Sequence, residues 1–143
     1  MIYLDTSYIV KCYVREPGTS EVLQLVREQS GRATCIHGRV EFWSAIHRHV
    51  REGNLTGDEA GAVWRQFERD ERGKLWDWLS LDHAVVQRSC RVLERPAPSL
   101  FLRCADALHL ACAAENGFAE IFSNDSHLLA AAESFGLVGR NVI

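Results

Sequence analysis

Short apolar runs alternate along the chain with longer stretches whose apolar residues recur roughly every three or four positions. The first kind marks strands buried on both faces; the second marks helices with one face turned inward. Ile2 to Asp5 is a run of the first kind. Thr6 to Val14 reads as a helix that Glu16-Pro17-Gly18 ends. Thr19 or Ser20 caps a second helix reaching Gln29, with Val22, Leu25 and Val26 on its inner face. Ala33 to Ile36 is a second strand, and Gly38 to Arg51 a third helix closed by Gly53. Thr56-Gly57-Asp58-Glu59 has the form of a capping box and opens a fourth helix, through Val63, Trp64 and Phe67 to Glu71. Trp76 to Leu81 alternates as a third strand. Asp82 caps a fifth helix that Pro96 and Pro98 break. A helix from Leu102 to Asn116 stops at Gly117. Glu120 to Ser123 forms a fourth strand, Asp125 to Phe135 the last helix, and Leu137 to Val142 a final edge strand.

Strands separated by helices imply an α/β fold: a mostly parallel central sheet covered on both faces, in three layers. No repeat, linker or low-complexity tract interrupts residues 1–143, so one domain is expected. A hydrophobic fraction of 47% excludes a disordered chain. No apolar run is long enough to cross a bilayer. The N-terminus has no basic segment followed by an apolar stretch, so no signal peptide is expected. The cysteines Cys12, Cys35, Cys90, Cys104 and Cys112 are odd in number and include no C-x-x-C pair. Their mostly apolar surroundings suggest reduced thiols and a cytoplasmic protein.

In a parallel sheet, functional groups gather beyond the carboxyl ends of the strands. Four acids fall there. Asp5 ends the first strand, Glu41 opens the helix after the second, Asp106 lies in the first turn of a later helix, and Asp125 follows the fourth strand. Taken singly, each has an ordinary explanation as a helix cap or as a partner of a helix N-terminus. Together they form a cluster with no lysine or arginine beside Asp5 or Asp125. Such a cluster is costly unless a divalent cation joins it. Oxygen donors suit Mg²⁺ or Mn²⁺, ions that serve phosphodiester hydrolysis. No Walker loop, G-x-G-x-x-G or G-x-S-x-G motif competes, and no local Cys/His spacing suits zinc. His109, one turn after Asp106, reads as a packed histidine or one that supports the site. The four tryptophans read as packing residues.

A net charge of −3 is at first sight wrong for a nucleic-acid substrate. Of the 19 acids, however, four belong to the cluster, leaving 15 against 16 basic residues. The segment Arg39 to Arg51 carries three arginines and two histidines against Glu41 alone, a candidate phosphate-facing surface or a solvated helix face.

The motifs around these acids resemble those of PIN-domain ribonucleases, most closely VapC-type toxins of bacterial toxin–antitoxin pairs. Asp5-Thr6-Ser7 with Val10-Lys11 resembles the first motif, and Val40-Glu41-Phe42-Trp43-Ser44-Ala45 the second. Asp106-Ala107-Leu108-His109-Leu110-Ala111 is the most specific match. Ser123-Asn124-Asp125, with Leu128 and Phe135-Gly136-Leu137, is similar to the fourth. Ser123 stands where threonine is common, and Ala105 where a larger residue is frequent. The resemblance spans essentially the whole chain. It implies that Asp5, Glu41, Asp106 and Asp125 surround one or two Mg²⁺ or Mn²⁺ ions, with Thr6 and Ser123 positioning carboxylates. It further implies a metal-dependent endoribonuclease toxin of a type II pair, a homodimer, an RNA substrate, and an antitoxin whose C-terminal segment lies across the active site. The alternatives are a catalytically idle PIN-like module that binds RNA or protein, and a nuclease acting on structured DNA ends.

Overall fold

Strand β1 (Ile2–Tyr3) lies at the middle of the sheet in the computed structural model, which describes residues 1–143. On one side it pairs in parallel with β2 (Arg32–Cys35), which pairs in parallel with β3 (Asp77–Leu79). On the other side Leu4 bridges Phe122 of β4 (Glu120–Phe122), and the Asp5 N–H donates to the Phe122 carbonyl at 3.1 Å. β4 pairs in parallel with β5 (Val138–Arg140). The order is therefore β3-β2-β1 and β4-β5, two parallel sheets joined by one bridge.

The pleat sends neighbouring β1 side chains to opposite faces. Leu4 enters a core shared with Tyr8, Ile9, Val22, Phe42, Phe67 and Trp76. These come from α1 (Thr6–Lys11), α2 (Thr19–Arg27), α3 (Gly38–Arg51), α4 (Gly57–Arg72) and the approach to β3. Tyr3 enters the second core, with Val85, Leu110, Ile121, Leu128 and Phe135. That layer is built by α5 (His83–Glu94), α6 (Cys104–Glu115), α7 (Ser126–Ala131) and a 3₁₀ turn over Ala132–Phe135. The expected three-layer arrangement follows from these two cores.

The third helix has the expected bounds, and the Thr56/Glu59 capping box forms with both reciprocal bonds. Other boundaries differ. α1 ends at Lys11 rather than Val14, because the Cys12 and Tyr13 N–H groups reach back only three residues, tightening the turn. Neither Thr19 nor Ser20 caps α2. Gly18 does, at φ 85°, while the Thr19 hydroxyl accepts from the Glu16 N–H at 2.9 Å and so fastens the preceding loop. α6 starts at Cys104, since Arg103 is extended. The last helix tightens into its 3₁₀ turn before Gly136, at φ 77°.

Candidate active site

The crevice between β1 and β4 is the switch point of this topology, where chain connections depart to opposite sides. Asp5 emerges there as the N-cap of α1. It is 5% exposed and accepts three hydrogen bonds: from the Ser7 hydroxyl at 2.6 Å, the Ser123 hydroxyl at 2.7 Å and the Tyr8 N–H at 3.3 Å. Burial pushes its pKa above the ordinary value, against the charge of His109 and these three bonds. Ser123 also accepts from the Asp125 N–H at 2.9 Å, so one hydroxyl ties the first acid to the backbone of the last.

Asp125 is the N-cap of α7, accepting from the His127 N–H at 2.8 Å and the Leu128 N–H at 3.2 Å. Burial pushes its pKa up, but the two N–H groups and Arg103 outweigh burial and hold it below the ordinary range. Asp106 is 7% exposed in the first turn of α6. Arg103 donates to it through Nε at 2.7 Å and Nη2 at 3.3 Å, and the same Nη2 bonds Asp125. The expectation of a cluster without cationic partners is thus corrected. Arg103, distant from Asp125 in sequence, folds back from the start of α6 to join two of the acids.

Glu41 occupies the first turn of α3. Its Oε2 accepts from the Thr6 hydroxyl at 2.7 Å and lies 2.7 Å from His109 Nε2 and 3.6 Å from His37 Nε2. Burial opposes ionisation, but the hydrogen bond and charge of His109, then Thr6 and His37, push its pKa down to about 2. His109 is held in turn by the Tyr3 hydroxyl, 3.0 Å from Nδ1. Tyr3 also accepts from the Cys35 N–H at 3.0 Å, so one fully buried oxygen links β1, β2 and α6. Gly38 lets these groups meet: a Cβ there would lie 3.0 Å from Thr6 Oγ1 and 3.4 Å from His109 Cε1.

The donor atoms of His37, Glu41 and His109 lie within 4.8 Å of one another, a mixed nitrogen and oxygen set gathered by tertiary contact. His37 and Glu41 are four residues apart at the start of one helix, and only tertiary contact brings His109 to them. In it Glu41 already has Thr6 and His109 as hydrogen-bond partners.

Asp5, Thr6, Glu41, Asp106 and Asp125 all line one cavity of about 730 Å³, while Ser123 is buried behind it. His47, Arg48 and Arg51 of α3 line the same cavity, so this stretch of the basic segment faces the acids. Sequence reasoning missed Arg103 and Tyr3. The first had a signal, an arginine three residues before an aspartate at a helix start. The second was a polar tip within an otherwise apolar strand.

The PIN domain matches residues 2–134 of the chain. The chain belongs to the PIN-domain family. Ribonuclease VapC47 of Mycobacterium tuberculosis is 30% identical over an alignment of 148 positions, gaps included, that covers 96% of this chain and 94% of that protein. The PIN-domain chain also shares its fold with VapC20 of Mycobacterium tuberculosis, a sarcin-ricin loop cleaving toxin. The TM-score is 0.71 at 16% identity, over 92% of this chain and 95% of that one. VapBC2 of Rickettsia felis, bound to a DNA fragment from its promoter, superimposes with a TM-score of 0.68 at 13% identity, over 99% and 98% of the two chains. No helix of this PIN domain is long and apolar enough to cross a membrane.

Proposed function

We propose that this PIN domain is the ribonuclease toxin of a toxin–antitoxin pair, hydrolysing RNA with Mg²⁺ or Mn²⁺ held by Asp5, Glu41, Asp106 and Asp125. The observation that carries the reading is the convergence of four carboxylates, from four separate elements, on one cavity at the sheet's switch point. The donor set fits a hard divalent cation, since every one of these ligands is a carboxylate oxygen and two belong to nearly buried residues. When bound, such an ion supplies Lewis acidity and a water acidic enough to yield hydroxide near neutral pH.

The chain's own residues do the rest. Ser7, Ser123 and the Tyr8 N–H fix both oxygens of Asp5, so the carboxylate needs no reorganisation to meet a cation. Glu41, with a pKa near 2, is a poor proton acceptor at neutral pH. Its role is that of a fixed negative charge that holds a cation or orients a water. Arg48 and Arg51 present guanidinium groups to RNA phosphates along the cavity wall. An antitoxin silences the site by laying its C-terminal segment across it, a basic side chain pairing with Asp5, Glu41 or Asp106. The toxin acts in the cytoplasm as a homodimer. The intact set of four acids favours a working nuclease over an idle binding module, which has no use for mutually repelling carboxylates.

The test is RNA cleavage with added Mn²⁺, with and without excess EDTA, for the native chain and Asp106→Asn. EDTA should abolish cleavage, and the variant should show only background while keeping its circular dichroism spectrum. Undiminished cleavage in chelator, with contaminating nuclease excluded, overturns the metal reading.

A further inference from the structure

Arg103 is the only lysine or arginine ion-paired with any of the four acids. Its fork spans two of them, reaching Asp106 through Nε and Nη2 and Asp125 through Nη2. We propose that Arg103 is a resident counterion of the cluster: it stands in for the metal ion between Asp106 and Asp125, and turns to an RNA phosphate once the ion enters. This inference rests on the metal reading given above.

The surroundings suit an exchange of partners. Arg103 is the N-cap of α6, with an extended backbone and no side-chain capping bond to lose. Its side chain is 54% exposed, whereas those of Asp106 and Asp125 are 10% and 26% exposed. The acids are therefore the enclosed partners, and the guanidinium lies on the solvent side of both. A divalent ion carries twice the charge of the guanidinium in a much smaller volume. It also repels a second cation at the same oxygens, so it wins the competition when present. The displaced guanidinium remains at the cavity, which Arg103 lines together with Arg48 and Arg51. A planar fork built for two carboxylate oxygens matches two phosphate oxygens equally well. The same side chain thus neutralises the acids in the free protein and gains a phosphate in the working complex. Lysine, a point charge, has no fork to span both acids.

Arg103→Gln and Arg103→Lys separate the two roles. Mn²⁺ binding is measured by isothermal titration calorimetry without RNA, and KM and kcat for RNA cleavage are measured separately. Removing a competing counterion should tighten Mn²⁺ binding by about three- to tenfold in Arg103→Gln. Removing a phosphate contact should raise KM for RNA by about tenfold and leave kcat within about twofold. Arg103→Lys should fall between native and Gln in both readings, and it carries the test if the Gln variant fails to fold. If Mn²⁺ binds the variants no more tightly than the native chain, Arg103 is a static brace of α6; the proposal is then wrong while the metal reading stands. If the native chain binds no Mn²⁺ at all, the metal reading fails and takes this inference with it.

Discussion

Tyr3→Phe removes one oxygen atom, and the structure gives that atom an unusual share of the connections. The hydroxyl lies 3.0 Å from His109 Nδ1 and accepts from the Cys35 N–H at 3.0 Å. Burial pushes its pKa well above the ordinary value, so it remains a neutral hydroxyl at physiological pH. Phenylalanine keeps the ring and its edge-on contacts with Phe118 and His109. The loss is therefore polar rather than a loss of packing. Two buried groups become orphans, at about 1–3 kcal/mol each. The space vacated by one oxygen is too small for a water to replace it. A loss of about 2–6 kcal/mol follows, equivalent for this chain length to roughly 7–20 °C in Tm. Urea denaturation should show a lower midpoint with an unchanged slope. At a temperature where the variant stays folded, a freed His109 should also cost about tenfold in cleavage, the lower end for a residue that orients a ligand's partner. A stability change below about 0.5 kcal/mol would refute the reasoning, because the two bonds would then be worth almost nothing.

Other expectations follow from the same contacts. Burial disfavours ionised Asp5, so Asp5→Asn should leave Tm in EDTA at neutral pH unchanged or raised while abolishing the further rise that Mn²⁺ gives the native chain; a marked fall in Tm would favour a purely structural cap. Asp106→Asn should not be stabilising in the same assay, because it deprives Arg103 of its partner. Glu41 has the opposite sign to Asp5: its pKa falls from 4.5 to about 2, so its stabilising effect is complete above pH 4.5 and is lost as pH drops towards 2. Glu41→Gln should flatten that acid limb in urea denaturation, and an equally steep limb would contradict the pairing with His109. Replacing Arg48 and Arg51 by glutamine should raise KM for RNA and lower the slope of log affinity against log salt by about 0.7 per arginine, and an unchanged slope would remove them from the RNA path. Stepwise truncation of the C-terminus of a co-expressed antitoxin should restore cleavage and growth arrest, whereas inhibition that survives loss of the whole segment would refute regulation through the acids.

The parts legible in the sequence were those set by local chemistry. Gly53 behind α3 and the Thr56/Glu59 reciprocal bonds are decided within a few residues, and those elements match the reading. The four acids were legible because each follows an apolar strand or opens a helix. What was hidden depended on contacts across the sheet. Thr19 is pulled from capping duty by the Glu16 N–H of the loop before it. Arg103 meets Asp125 only because α6 and α7 start beside each other on the same edge of the sheet. Tyr3 and His109 are separated by most of the chain, and neither residue's neighbours announce the other. Thr6 was expected to steady carboxylates around a metal; its hydroxyl donates to Glu41.

The narrow join between the two strand groups has a consequence for how the site is completed. Asp5 and Glu41 belong to the side of β1, β2 and β3; Asp125 follows β4 on the other side of the bridge, and Asp106 lies on the helix that precedes that strand. Along the chain Asp5 and Glu41 come first, Asp106 next and Asp125 last. Until β4 docks beside Leu4, Asp125 has no place beside the other three acids and the cavity at the seam is incomplete. Under the proposed function, a chain therefore completes its nuclease site only when the seam between the two strand groups closes.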